Sequence, residues 1–265
     1  MIPKKIHYCW FGGTKLPPLA IKCIDSWKKH LPDYEIIEWN ETNFDISQCK
    51  YMQQAYDNKK WGFVPDYARF KIVYENGGIY LDTDVEILKN LDSFLTEEGI
   101  LGFESTTLVN GGNIIAGEAG NPILREMYEI YESESFVNND GTLNLVASPK
   151  YNTEVLVRNG LIANNTLQRL RNITVYPTEY FCPKDFETGI INITDNTYSI
   201  HHFDGSWISD SHKKYLQSKY KLYKKYPKKF ADFLIWFPYG LYLIREKGLN
   251  YFIKRALKKI GIGTK

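Results

Sequence analysis

Apolar and polar positions along this chain change rhythm repeatedly between a strand-like and a helix-like period. Lys5 to Trp10 (KIHYCW) predicts a short buried strand. It ends in Phe11-Gly12-Gly13, a turn in which glycine lets backbone approach a ligand closely. From Leu19 to Leu31, Ile21, Ile24, Trp27 and Leu31 share one face of a predicted helix, which Pro32-Asp33 breaks. Tyr34 to Trp39 predicts a second strand, and the stretch from Tyr51 to Lys59 a second helix. Pro65 opens a helix over Asp66 to Glu75, and Asn76-Gly77-Gly78 stops it. The apolar strand Ile79-Tyr80-Leu81 then runs straight into Asp82-Thr83-Asp84, and Ile100 to Phe103 predicts another strand. Pro122 to Glu132 and Thr142 to Ala147 read as helical. Ile173 to Tyr176 and Tyr198 to Phe203 read as strands, the latter delivering His201 and His202. Alternating strands and helices predict an α/β fold with a largely parallel sheet. Ligands gather at the carboxyl ends of such strands, where the turn after Trp10 and the triplet after Leu81 both fall.

The C-terminal part has a different texture. Lys213 to Lys229 is basic and tyrosine-rich, and Phe230 to Ile244 is apolar but interrupted by Asp232, Pro238 and Gly240. Over Leu249 to Ile260 the apolar Leu249, Phe252, Ile253, Ala256, Leu257 and Ile260 face one way, and Lys254, Arg255, Lys258 and Lys259 face the other. The expected organisation is an α/β domain over residues 1–210 and a basic, mainly helical segment over 211–265. Charge follows the same division. The formal net charge of +2 conceals 15 basic against 2 acidic residues in 213–265, and 18 basic against 29 acidic in the remainder. An acidic body with a basic tail suggests two separate tasks.

The tail is basic enough to attract nucleic-acid phosphates. However, the acidic body offers no reading surface and no nucleic-acid motif is present, so nucleic acid is not an expected partner. The expectation is an anionic membrane surface met by residues 213–265, with the amphipathic segment lying in the interface. The competing reading is a helical subdomain packed on the core. A hydrophobic share of 43% suits a globular protein, and no apolar run reaches the length of a spanning helix. The start of the sequence lacks the apolar run of a secretory signal. Cys9, Cys23, Cys49 and Cys182 form no Cys-x-x-Cys pair, so free thiols and a cytoplasmic location, peripheral on the inner face of the membrane, are expected.

Asp82 and Asp84 provide the leading candidate chemistry. Two carboxylates at i and i+2 after a strand can converge on one point. A diphosphate-bound Mg²⁺ or Mn²⁺ requires a few hard oxygen ligands of this kind, with positions left open for phosphate oxygens. A solvated acidic turn would look the same in isolation. Asp66 and Arg69, at i and i+3, share a helix face either as a local ion pair or as a site where Arg69 neutralises diphosphate and Asp66 binds sugar hydroxyls. Trp10 would stack on a nucleotide base or fill the core. His202 is the candidate third metal ligand, with His201 able to take the same role.

Together the blocks IPKKIHYCWFGG, FVPDYAR, GGIYLDTDVE and HHFDGSW, in this order over residues 2 to 208, resemble glycosyltransferase family 32. Members of that family include fungal mannosyltransferases and bacterial capsular polysaccharide enzymes, and it is related distantly to large glucosylating cytotoxins. The resemblance implies a GT-A fold and a retaining transferase. Its donor would be a nucleotide sugar, UDP-linked or GDP-mannose, and its acceptor a glycan or lipid-linked oligosaccharide. It also implies a base-stacking role for Trp10, a sugar-binding role for Asp66, and a place for Arg69 near the sugar and diphosphate. Asp82 would contact ribose and metal, and Asp84 would ligate the metal. His202 would be a C-terminal metal ligand, with Ser206 and Trp207 facing the leaving diphosphate. In this chain Pro65 stands where the family places a serine, a substitution compatible with a helix start.

Two other activities use paired carboxylates. A phosphatase or phosphotransferase would use Asp82 as nucleophile, but Glu86 stands where such enzymes usually carry a threonine. A glycoside hydrolase would differ in needing no metal.

Overall fold

The computed structural model describes residues 1–205 and 208–259, without the side chains of 257–259. Ser206 and Trp207 therefore lie outside the described residues. The chain divides into two compact units, Met1–Lys184 with Ile191–Ser206, and Asp185–Ile190 with Trp207–Lys265. The change in sequence texture places the boundary between residues 210 and 211, whereas the structure ends the first unit at Ser206. The short Asp185–Ile190 loop, distant in sequence from the tail, groups with the second unit.

The first unit is built on a seven-stranded sheet. Its strands are β1 (Lys5–Cys9), β2 (Glu35–Trp39), β3 (Gly78–Tyr80), β5 (Gly99–Phe103), β6 (Val109–Gly117), β7 (Gln168–Leu170) and β8 (Ile173–Tyr176). Their order is β2-β1-β3-β6-β5-β8-β7. A separate antiparallel pair joins β4 (Val85–Ile87) to β9 (Ser199–His201), with Val85 opposite His201. The α/β class is as expected, but the sheet is mixed rather than largely parallel. β1 runs parallel to β2 and β3, and β5 to β8, whereas β6 is antiparallel to both of its neighbours. A short loop joins β5 to β6, and so short a connection can only reverse the chain. The residues of β6, VNGGNIIAG, carry no clear strand pattern, because Asn-Gly-Gly-Asn looks like a turn.

Helices α1 (Pro18–His30), α2 (Lys50–Asp57), α3 (Pro65–Asn76), α4 (Pro122–Glu132), α5 (Ser148–Arg158) and α6 (Thr178–Phe181) complete this unit. The helix expected over Thr142–Ala147 is not formed. Helix starts instead at Ser148, where Pro149 occupies the first turn without losing an intrahelical hydrogen bond. Successive strand side chains point to opposite faces, which divides the core into two apolar layers. Cys9, Tyr80, Leu101 and Ile115 pack with the α2–α5 side, and Ile6, Tyr8, Ile79 and Leu81 with Trp27 of α1. The four cysteines are buried and unpaired.

The second unit contains α7 (Asp210–Lys225), α8 (Lys228–Leu234), α9 (Trp236–Lys247) and α10 (Leu249–Lys259). The Asp185–Ile190 loop is tied to α7, where Lys219 pairs with Glu187 and the Tyr220 hydroxyl donates to the Phe186 carbonyl at 2.9 Å. No helix among the described residues is long and apolar enough to cross a membrane.

Candidate metal and diphosphate site

Helix α3 begins with Pro65 and ends at Gly77, whose φ of 63° is readily adopted by glycine. It is buried on most sides, and this draws Asp66 and Arg69 into the protein at 3% and 4% exposure. The Arg69 Nη2 donates to Asp66 Oδ1 at 2.8 Å, and Nη1 lies 3.5 Å from Asp82 Oδ2. Strand alternation explains the second contact, because Tyr80 and Asp82 project toward the α3 side while Leu81 points the other way. The Tyr80 hydroxyl donates to Asp82 Oδ1 at 2.9 Å. Burial pushes the Asp66 carboxyl up to about 7, although Arg69 pulls the other way. Burial also works against the charge on Arg69, but Asp82, Tyr80 and Asp66 outweigh it and raise its pKa.

Asp84 lies on the far side of the triplet. Its Oδ1 is 3.2 Å from His201 Nε2, and its Oδ2 accepts from the Asp204 backbone N–H at 2.8 Å. Burial opposes ionisation, but the His201 ring and the backbone donor prevail and hold Asp84 at about 2. Asp82, Asp84 and His201 each offer a ligand atom, all within 4.8 Å of one another. This is a metal-sized cluster of two hard oxygens and one imidazole nitrogen, a donor set suited to Mn²⁺ and tolerable for Mg²⁺. Asp82 and Asp84 remain partly open, with side chains 26% and 18% exposed.

His202, the expected ligand, does not join this cluster. Its Nε2 lies 2.8 Å from Glu86 Oε2, which also accepts from Lys22 at 2.9 Å. Neighbouring residues leaving a strand point to opposite faces, so only one of the two histidines can reach Asp84, and the register of β9 on β4 selects His201. Trp10 follows β1 at the same sheet edge as Asp82, and its indole N–H donates to the Thr14 carbonyl at 2.7 Å.

Several site residues were not anticipated. The Asn110–Asn113 stretch of β6 passes directly behind the carboxylates. The Gly112 carbonyl accepts from Asp82 N–H at 3.1 Å, and Asn110 Oδ1 accepts from Gly112 N–H at 2.7 Å. A Cβ on Gly112 would lie 2.2 Å from Asp82 Oδ2, so glycine is needed for this close approach. Asn113, fully buried, places Oδ1 2.7 Å from His201 Nδ1. Nδ1 donates its proton to Asn113, which leaves Nε2 to face Asp84. Burial opposes the ring's charge, but Asp84 prevails and raises the His201 pKa, so Nε2 carries a proton toward Asp84 that a bound metal would replace. Only the Gly-Gly pair signalled this segment in the sequence, and it signals a turn equally well.

Residues 17–101, which include α3, β3 and the Asp82-Thr83-Asp84 triplet, match the family model described as the glycosyltransferase sugar-binding region containing DXD motif. Over this segment the chain is similar to the sugar-binding region of the DXD glycosyltransferases. A fission-yeast protein, inositol phosphoceramide mannosyltransferase 3 of Schizosaccharomyces pombe, is 28% identical over 48% of this chain and 36% of its own length. Subversion of eukaryotic traffic protein A of Legionella pneumophila is 26% identical over 52% of this chain and 26% of its own. The chain thus spans about a third and about a quarter of the length of these curated relatives. A solved structure, PaToxG glycosyltransferase, aligns with a TM-score of 0.49 at 22% identity, over 59% of this chain and 69% of that one. The matched DXD region supplies Asp66, Arg69, Asp82 and Asp84, whereas Asn110, Gly112, Asn113 and His201 lie beyond it.

Proposed function

We propose that this protein is a metal-dependent, retaining glycosyltransferase of GT-A type, moving a hexose or N-acetylhexosamine from a nucleotide sugar to a glycan acceptor. One observation carries the reading. The ligand atoms of Asp82, Asp84 and His201 lie within 4.8 Å of one another, and the buried Arg69 guanidinium stands 3.5 Å from Asp82. A Mn²⁺ or Mg²⁺ ion held there would neutralise the donor diphosphate and stabilise it as a leaving group. Arg69 is placed beside Asp82 as a further, permanent positive charge. Tyr80 and the Gly112 carbonyl fix Asp82, while Asn113 fixes His201. Asp66 holds Arg69 and is the candidate partner of sugar hydroxyls. Trp10, at the same sheet edge, is the candidate base-stacking group, and Ser206 and Trp207 are proposed to face the leaving diphosphate on the resemblance alone.

The preferred donor is UDP-linked and the preferred acceptor a lipid-linked glycan in bacterial capsular or surface polysaccharide synthesis. GDP-mannose is the rival donor, favoured by the mannosyltransferase name of the yeast relative. Asp82 has Oδ1 engaged by Tyr80 and Oδ2 facing Arg69, which suits a fixed ligand better than a phosphatase nucleophile. The test is a panel of UDP- and GDP-sugars with Mn²⁺, Mg²⁺ or chelator, followed by released nucleotide. Metal-dependent release from one donor class is expected. Sugar release that persists in chelator would overturn the reading in favour of a hydrolase.

A further inference from the structure

The second unit contains a feature that glycosyl transfer does not use. Ile235 sits between α8 and α9 with helical backbone angles, and the hydrogen bonds Ile235 N–H to Ala231 carbonyl and Tyr239 N–H to Ile235 carbonyl carry the helical path across it. Along this path Phe230, Phe233, Phe237 and Leu241 follow at intervals of three, four and four residues, the spacing of a single helical stripe. All four are exposed, Phe233 at 72% and Phe237 at 76%. Ala231, Gly240 and Leu243, in contrast, are buried within the unit. Two phenyl rings this open to water are costly to hydrate, and their alignment makes a patch rather than scattered exposure.

The surroundings of the stripe indicate its occupant. Lys224, Lys225, Lys228 and Lys229 are exposed at its Phe230 end. At the other end, Leu241 shares a surface hollow with Lys214, Tyr215, Ser218, Tyr242 and Arg245. Residues 213–265 carry 15 basic against 2 acidic side chains. Apolar and aromatic side chains bracketed by basic groups match the layering of an anionic bilayer, with acyl chains beneath a negative headgroup plane. A protein groove of ordinary composition would not require this excess of one charge.

We infer that the Phe230–Leu241 stripe of α8 and α9 inserts into the interface of an anionic lipid bilayer, with Lys214, Arg245 and the lysines of 224–229 engaging lipid headgroups. This centres the membrane contact on the α8–α9 stripe, whose Phe233 and Phe237 rings are the most open; the amphipathic α10 also leaves Leu249 and Ile253 exposed. Phe252 of α10 is turned inward toward Gly240, where an added Cβ would meet its ring at 3.0 Å. The inference does not depend on the transferase reading.

The full chain should be mixed with vesicles of pure phosphatidylcholine and of equimolar phosphatidylcholine and phosphatidylglycerol, without nucleotide sugar, and binding followed by sedimentation. Binding to the anionic vesicles alone, weakened by salt, is expected. The double substitution Phe233→Ser, Phe237→Ser should lower partitioning at least about tenfold, as two rings lose apolar burial. Its circular dichroism and its release of nucleotide in solution should stay at wild-type levels. A double variant that binds anionic vesicles as tightly as wild type would overturn the assignment of the stripe. A wild-type chain that ignores anionic vesicles but forms a dimer dispersed by the same two substitutions would assign the stripe to a second copy and overturn the membrane inference.

Discussion

Charge is handled in opposite ways in the two units. Around the triplet, ionised groups are drawn into the protein and each is answered by a partner: Arg69 by Asp66 and Asp82, Asp84 by His201 and a backbone N–H. In the C-terminal helices most lysines and arginines, the buried Lys219 apart, project into solvent, and apolar rings such as Phe233 and Phe237 stand exposed as well. Buried charges can be aimed, because neighbouring atoms fix their geometry and weak screening strengthens their fields. Exposed charges are screened within about 10 Å and act collectively on a surface. The first arrangement suits a site that must grip one diphosphate, and the second suits adhesion to an extended partner.

The comparison is broken most directly at Arg69. Arg69→Ala leaves Asp66 buried without its countercharge and should cost about 3–5 kcal/mol of stability in urea unfolding performed well above pH 7. Lys224→Ala, at an exposed position, should change stability by no more than about 0.5 kcal/mol. Similar losses for the two variants would refute the division between aimed and collective charge. Next in size, Asp84→Ala should reduce metal-dependent nucleotide release about a hundredfold or more with a confirmed donor. Near-wild-type turnover would remove Asp84 from the site.

Asn113→Ala tests whether residues behind the ligands matter. It should weaken Mn²⁺ binding about 10- to 100-fold, read by Mn²⁺ spin resonance, while His202→Ala leaves binding within a few-fold. A larger loss for His202→Ala would restore His202 to the ligand set. The smallest effect concerns His7, a buried group of β1. Its Nδ1 accepts from Trp39 Nε1 at 3.1 Å and its Nε2 lies 2.8 Å from the Gly77 carbonyl, so both nitrogens are engaged by a neutral ring. Burial depresses its pKa, against the pull of the Gly77 carbonyl. With a folded value below the unfolded one, the unfolded chain gains the proton first. Stability is therefore complete above about pH 6.5 and declines as pH falls below it. Urea unfolding across this range should show the decline, and His7→Gln should flatten it.

Much of the candidate site follows from local sequence pattern. Asp82 and Asp84 are announced by an apolar strand running into them. Asp66 and Arg69 share a helix face three residues apart, and Pro65 and Gly77 mark that helix's ends. These are local relations, set by helix and strand periods alone. What was not legible depends on pairing between distant segments. Asn110, Gly112 and Asn113 become site residues only because β6 inserts beside β3, and nothing near them in sequence reveals that neighbour. The same holds for His201 over His202, which are indistinguishable as a sequence pair until β9 registers on β4 with His201 opposite Val85.

Residues close in the chain suffice for the α/β alternation, the acidic triplet at a strand end, the shared helix face of Asp66 and Arg69 and the basic character of the tail, because each follows from local period or composition. Tertiary packing alone sets the mixed strand order, the one imidazole that joins the two carboxylates, the glycine that lets Asp82 approach backbone, and which apolar residues of the C-terminal helices remain uncovered among the described residues. Strand register and burial are cooperative outcomes of long-range packing, and a period of two or 3.6 residues carries no information about which distant strand will lie alongside.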